Sequence, residues 1–140
     1  MTGKDDLKFM RRCVELASRA EGLTYPNPAV GAVIVYEGKI IGEGYHMKAG
    51  GPHAEVRAIE SVANRQLLSS SKMYVSLEPC SHFGKTPPCT DLIIANNIPK
   101  IVVGTIDTST KVSGRGLAKL KEAGLDVIQG VAENECRWIN

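Results

Sequence analysis

The sequence predicts an α/β fold with three layers, α/β/α, in which a mixed five-stranded sheet carries helices on both faces. Two observations predict it. Helical and extended patterns alternate along the chain, and two extended runs joined only by Glu37-Gly38 open the strand series as a hairpin. Such an order is typical of one sheet covered on both sides. A chain of 140 residues suits one domain, so residues 1–140 are interpreted as a single domain.

The first helix is predicted over residues 5–21, because apolar residues recur there at the spacing of one helical face. Asp5 and Asp6 suit its N-terminus, where the helix dipole favours negative charge, and Gly22 can end it. Valine-rich or extended runs predict the strands, and apolar residues three and four apart predict the later helices. The strands are predicted at 29–36, 39–45, 72–77, 100–104 and 126–129, and the later helices at 54–64, 90–96 and 117–123.

Composition and charge exclude several classes of protein. The net charge is only +2 and the basic residues are dispersed, so no nucleic-acid partner is expected. The chain has no apolar run of membrane-spanning length and no signal-peptide pattern, so we expect no membrane partner and a cytoplasmic location. Thiols stay reduced in that compartment. The four cysteines are therefore expected to be metal ligands or core residues, and Cys13 and Cys136 lie in segments without other ligand-like residues.

Two segments carry candidate metal ligands. One reads Pro52-His53-Ala54-Glu55, and the other reads Glu78-Pro79-Cys80 and is closed by Cys89. Three protein ligands with an open fourth position are typical of a catalytic zinc site, so His53, Cys80 and Cys89 are predicted to bind one Zn²⁺. Glu55 lies two residues from the proposed histidine ligand, where its carboxylate could move protons between water and a substrate.

His-x-Glu followed by Pro-Cys-x-x-Cys is the signature of zinc deaminases. This sequence differs from it in one respect, because eight residues rather than two separate Cys80 from Cys89. A closed, purely structural site is the alternative, in which His82 would be a fourth ligand.

With these residues placed, the chain resembles the deaminase domain of the bifunctional riboflavin biosynthesis proteins, within the cytidine deaminase superfamily. The motifs that carry the resemblance are PNPAVGAVIV, GEGYH, GPHAEVRAIE, SLEPCSHFGKTPPC and GRG. The likeness covers nearly the whole chain, and the insert SHFGKTPP is its most specific part. It implies a cytidine deaminase-like fold, bound Zn²⁺, and hydrolytic deamination of diaminohydroxyphosphoribosylaminopyrimidine, a small phosphorylated pyrimidine.

The resemblance also implies five substrate-binding residues. Asn27 would hydrogen-bond the pyrimidine, His46 would line the pocket, and His82 and Lys85 would hold the substrate around its ribose-phosphate. Ser109 stands where the family usually has an asparagine that contacts ribose. Simpler interpretations stay open: Asn27 as a turn residue, His46 as a strand-end histidine, and Lys85 as a solvated surface residue.

Family members usually continue into an NADPH-dependent reductase domain, whereas this chain stops at Asn140, near where that domain would begin. A separate deaminase and an excised domain are both compatible with this ending. We expect no reductase domain and no nicotinamide site within the chain, since it contains no Gly-x-Gly-x-x-Gly motif. A reductase in trans and self-association both stay open.

Two rival functions remain at this point. One is a related deaminase that acts on another nucleobase or nucleotide, including a base in tRNA, although the balanced charge and the long insert count against a polymer substrate. The other is a non-catalytic module stabilised by zinc, in which Glu55 would be dispensable.

Overall fold

A computed structural model describes residues 4–20, 29–47, 51–81, 87–106 and 114–139. None of the helices in these ranges is long and apolar enough to cross a membrane. The α-helices are α1 (Lys4–Ser18), α2 (Ala54–Glu60), α3 (Cys89–Ala95), α4 (Arg115–Glu122) and α5 (Glu133–Trp138), with a 3₁₀ helix at Arg65–Ser70. The strands are β1 (Gly31–Tyr36), β2 (Lys39–Tyr45), β3 (Lys72–Leu77), β4 (Lys100–Thr105) and β5 (Asp126–Gln129).

The strands form one mixed sheet in the order β2-β1-β3-β4-β5. β1 runs antiparallel to both of its neighbours, whereas β3, β4 and β5 are parallel. Glu37 and Gly38 connect β1 to β2 with φ angles of 49° and 78°, as the type I′ hairpin turn requires. The predicted hairpin and mixed five-stranded sheet are confirmed.

Alternating residues of the central strands face two separate apolar clusters, as the period of a strand requires. Ala32, Ile34, Met73 and Val75 pack in the cluster that α2, α3 and α4 share, which we call the front layer. Val33, Val35, Tyr74 and Val102 pack against α1 and α5, which we call the back layer. The predicted three-layer arrangement is therefore confirmed.

Strand β2 approaches α2 closely enough to require glycine. A Cβ atom at Gly44 would lie 2.6 Å from the carbonyl oxygen of Ala54, and one at Gly42 would lie 2.6 Å from that of Ala58. Both positions therefore exclude a side chain. The contact fixes the first turn of α2, and the segment that enters this helix contains His53.

The observed helices differ from the predicted ones in length and number. α2 ends at Glu60 rather than residue 64, because the Ser61 hydroxyl bonds to the Ala58 carbonyl oxygen at 2.7 Å and accepts from the Glu43 amide at 3.1 Å. Asn64 then caps the unpredicted 3₁₀ helix. The first helix was predicted to end at residue 21, whereas α1 ends at Ser18; residue 21 itself lies outside the described residues. α5 was not predicted, because Cys136 is its one buried residue and no apolar periodicity marks it.

Candidate metal centre and active site

His53, Cys80 and Cys89 come together at the edge of the sheet where the parallel strands end. His53 directly precedes α2, Cys80 follows β3 by three residues, and Cys89 begins α3. The His53 Nδ1 atom lies 3.8 Å from the Cys80 Sγ atom and 3.4 Å from the Cys89 Sγ atom. The three ligand atoms, one from each residue, lie within 4.8 Å of one another. The three residues predicted as ligands are therefore adjacent in space.

The spacing of these atoms fits a tetrahedral zinc ion. Zinc binds thiolate sulfur at about 2.3 Å and imidazole nitrogen at about 2.0–2.1 Å, which places neighbouring ligand atoms about 3.5–3.8 Å apart. The observed 3.4 and 3.8 Å are close to those values. Two sulfur ligands and one imidazole form a donor set that zinc prefers. Within the described part of the chain, no fourth His, Cys, Asp or Glu joins the group.

The two thiols of the cluster lie in different electrostatic surroundings. The pKa of Cys80 is lowered, mainly because the Cys89 thiol donates a hydrogen bond to it and His53 lies beside it. The backbone amide of Cys89 also donates to the Cys80 Sγ atom at 3.2 Å. The same pairing, together with burial, raises the pKa of Cys89 above its ordinary value. These surroundings favour a thiolate at Cys80, and a bound metal would deprotonate both residues.

Glu55 is the second residue of α2, and its side chain is buried at 3% exposure. Burial raises its pKa from 4.5 to about 7, and a backbone hydrogen bond partly opposes that shift. His53 and both thiols also influence this pKa, so the carboxyl group lies against the cluster. A carboxyl group in this position can accept and donate a proton, which is what general acid–base catalysis requires.

His46 lies directly after β2 and is buried beside the cluster. Its ring meets the His53 ring edge to face, with centroids 5.3 Å apart. The Nδ1 atom lies 3.1 Å from the Pro52 carbonyl oxygen and must donate there, which leaves Nε2 as an acceptor. Burial lowers the pKa of His46, so the ring stays neutral. Among the described residues, nothing hydrogen-bonds to the buried Nε2 atom.

Four of the predicted substrate-binding residues are not described by the structure. Asn27, His82, Lys85 and Ser109 lie outside the described residues, so their roles stay predictions. The alternative in which His82 closes the metal site also falls there.

Glu78 belongs to the second candidate segment, but no role was predicted for it from the sequence. Glu78 lies two residues before Cys80, and its carboxylate accepts hydrogen bonds from the backbone amides of Gly114, Gly116 and Leu117. The available signals are its position directly before Pro79-Cys80 and the Gly114-Arg115-Gly116 motif, whose amides it binds.

Comparison with known proteins agrees with this geometry. The model of the cytidine and deoxycytidylate deaminase zinc-binding region matches residues 3–105. The riboflavin biosynthesis protein RibD of Aquifex aeolicus is 50% identical over 96% of this chain and 37% of its own length. The chloroplastic riboflavin biosynthesis protein PYRD of Zea mays is 51% identical over 97% of this chain and 34% of its own length.

A solved structure from Thermotoga maritima superposes with a TM-score of 0.90 at 48% identity, covering 96% of this chain and 39% of that one. That protein is named a diaminohydroxyphosphoribosylaminopyrimidine deaminase/5-amino-6-(5-phosphoribosylamino)uracil reductase. The chain thus spans little more than a third of the length of these relatives.

Proposed function

The chain belongs to the cytidine and deoxycytidylate deaminase zinc-binding family, and from that premise we propose that it deaminates diaminohydroxyphosphoribosylaminopyrimidine by hydrolysis, as a step of riboflavin biosynthesis. The observation that carries the proposal of deamination is the buried Glu55 carboxyl beside a cluster of three metal ligands with no fourth among the described residues. The choice of substrate is supported by the names of relatives that are about half identical to the chain.

His53, Cys80 and Cys89 would hold the zinc ion, which when bound lowers the pKa of a coordinated water. Glu55 accepts a proton from the attacking water as the oxygen bonds to the amino-bearing ring carbon. It delivers this proton to the ring nitrogen. Glu55 then takes the proton of the hydroxyl group now bound to the carbon and passes it to the amino group as the carbon–nitrogen bond breaks. Ammonia leaves and the carbon keeps the oxygen as a carbonyl. The buried position of Glu55 beside the three ligands places its carboxylate to act in both directions.

The remaining residues would bind the substrate rather than react with it. The His46 ring offers its Nε2 atom, which has no hydrogen-bond partner among the described residues, as an acceptor for a substrate N–H or O–H group. Asn27 is proposed to contact the pyrimidine, Ser109 the ribose, and His82 and Lys85 the ribose-phosphate. Such cationic or hydrogen-bonding side chains suit a phosphorylated substrate.

The substrate proposal is tested by measuring ammonia release from a panel of amines. The zinc-loaded protein is assayed with the phosphoribosylaminopyrimidine, with its dephosphorylated form, with cytidine and dCMP, and with tRNA. We expect the phosphorylated aminopyrimidine to give the highest kcat/KM. Higher activity on tRNA or on a cytosine nucleotide would assign the chain to another branch of the family. No ammonia from any substrate, with zinc bound, would favour a non-catalytic zinc module.

We also propose that residues 1–140 act as one deaminase domain in the cytoplasm and that a reductase consumes the product. The Thermotoga maritima relative is named for both a deaminase and a reductase, and this chain covers 39% of it. The reductase is to be sought both on the same polypeptide and on a separate one. Adding a reductase with NADPH to the deaminase assay should produce NADPH oxidation that depends on prior deamination.

A further inference from the structure

The carboxylate of Glu78 joins the metal-ligand segment to the start of α4. Its Oε1 atom accepts from the Gly114 amide at 3.0 Å, and its Oε2 atom accepts from the amides of Gly116 and Leu117 at 2.9 and 3.3 Å. The side chain is only 9% exposed. These three amides belong to the first turn of α4, where the helix leaves backbone donors unpaired and its dipole favours a negative charge. One buried carboxylate therefore accepts hydrogen bonds from three backbone amides at the N-terminus of the helix.

The backbone around Glu78 is held as closely as its side chain. The Glu78 amide donates to the Thr105 carbonyl oxygen at 2.9 Å, which ties the end of β3 to the end of β4. A Cβ atom at Gly116 would lie 2.3 Å from the Pro79 carbonyl oxygen, so α4 rests directly on the Pro79–Cys80 peptide. The Gly114-Arg115-Gly116 sequence thus allows α4 to reach the segment that leads to Cys80.

Little freedom remains between Glu78 and Cys80. Pro79 fixes its own φ angle and restricts the residue before it. The Cys80 carbonyl oxygen accepts from the Thr90 amide at 3.2 Å, and its sulfur accepts from the Cys89 amide at 3.2 Å. Cys80 is therefore held from one side by α3 and from the other, through Pro79, by the bond between Glu78 and α4.

We propose that Glu78 is a positioning residue for the metal centre, which sets Cys80 in its ligating position by anchoring the Glu78-Pro79 segment to the first turn of α4. The inference rests on the proposed zinc site and goes beyond it, since Glu78 itself binds no metal. Glutamine at this position has the same shape but loses the negative charge, and its amide donors would face the backbone donors of α4. The segment would lose its anchor and Cys80 would become free to shift.

The experiment measures the zinc affinity of Glu78→Gln by competition with a chromophoric chelator, and the absorption spectrum of the Co²⁺-substituted protein. Outer contacts of a metal site are worth roughly 10–100-fold in affinity, so zinc should bind about that much more weakly and the thiolate–Co²⁺ bands should change. The matched control is Asp6→Asn. Asp6 is also buried, at 6% exposure, but it bonds to Tyr74 and Lys72 in the back layer. This control should lower stability while zinc affinity and the Co²⁺ spectrum stay as in the wild type.

The inference would be overturned if folded Glu78→Gln kept the wild-type zinc affinity and an unchanged Co²⁺ spectrum. It would also be overturned if Asp6→Asn lost as much zinc affinity as Glu78→Gln. If Glu78→Gln does not fold, Glu78→Asp decides. It keeps the charge but reaches one methylene less far, so it should bind zinc more weakly than the wild type, and unchanged binding would contradict the proposal. A wild-type protein that binds no zinc at all would instead refute the metal site itself, so the two failures are distinguishable.

Discussion

The molecule contains two pairs of cysteines in opposite electrostatic environments. In the front layer, Cys80 and Cys89 lie against His53, and the pKa of Cys80 is lowered by hydrogen bonds and the nearby imidazole. In the back layer, Cys13 and Cys136 are buried among apolar side chains, and burial raises the pKa of Cys136 to about 12. The pKa of Cys13 is raised for the same reason.

The difference shows that neighbouring side chains, backbone donors and burial together decide what a cysteine can do. The Cys80 Sγ atom accepts a hydrogen bond from the Cys89 backbone amide at 3.2 Å. This amide is free to donate because Cys89 begins a helix, and the first amides of a helix have no partner within it. The Cys13 thiol instead donates to the Tyr74 carbonyl oxygen at 3.4 Å, which favours the protonated form. The first environment suits a metal ligand, and the second suits a core residue.

The largest expected effect concerns Glu55 in the front layer. Glu55→Gln keeps the shape of the side chain but cannot relay protons, so kcat should fall roughly 10²–10⁴-fold while zinc content stays unchanged. Glu60→Gln is the matched control, because Glu60 lies on the same helix but is exposed. Steady-state deamination rates measure both variants. A loss below about tenfold for Glu55→Gln would remove this residue from the proposed chemistry.

The next effect concerns substrate binding. Lys85→Ala should raise KM for the phosphorylated substrate with little change in kcat, since a phosphate remote from the reacting carbon is bound alike in the ground and transition states. A charge-assisted hydrogen bond is worth roughly 1.5–3 kcal/mol, or about one to two decades in affinity. Lys8→Ala, at an exposed position on α1 of the back layer, should change neither constant. Equal losses for phosphorylated and dephosphorylated substrates would mean that Lys85 does not bind the phosphate.

A smaller effect is expected in the back layer. Cys13→Ala removes a fully buried thiol and its hydrogen bond to Tyr74, which should lower the free energy of unfolding by about 1–2 kcal/mol. Zinc content and kcat should not change. Urea denaturation followed by circular dichroism gives the first quantity, and elemental analysis gives the second. Loss of zinc from this variant while it remains folded would break the distinction between the two layers.

The smallest effect is a dependence of stability on pH. Arg12 on α1 bonds to Glu43 on β2, and this contact holds the pKa of Glu43 below its ordinary value. The stabilisation is therefore present above the unfolded pKa of about 4.3 and is lost as the pH falls through the lower folded value. For this partly exposed pair, Arg12→Gln should cost about 0.2–1 kcal/mol at pH 7 and less as the carboxylate is protonated. Urea titrations of metal-free protein between neutral and acidic pH would show this convergence. A difference that grows towards low pH would contradict it.

The metal centre could be predicted from the sequence because its ligands lie in short motifs whose spacing carries chemical meaning. The sheet could be predicted because β1 and β3 are valine-rich or apolar runs bounded by turns. Cys13 and Cys136 were expected to be metal ligands or core residues, and the structure buries both in the core. The bond from Glu78 to Gly116 was not predictable, because 38 residues separate the two and no local pattern connects them. α5 was missed because it buries too few residues to leave a periodic signal.

The most direct test of the account is the zinc content of the purified, metal-replete protein and of four variants. Elemental analysis should find about one zinc per chain in the wild type, in Cys13→Ser and in Cys136→Ser, provided that circular dichroism shows these variants to be folded. Cys80→Ser and Cys89→Ser should lose the metal, because a hydroxyl is a much poorer zinc ligand than a thiolate. Absence of zinc from the wild type, or zinc loss that does not distinguish the front-layer cysteines from the back-layer ones, would contradict the account.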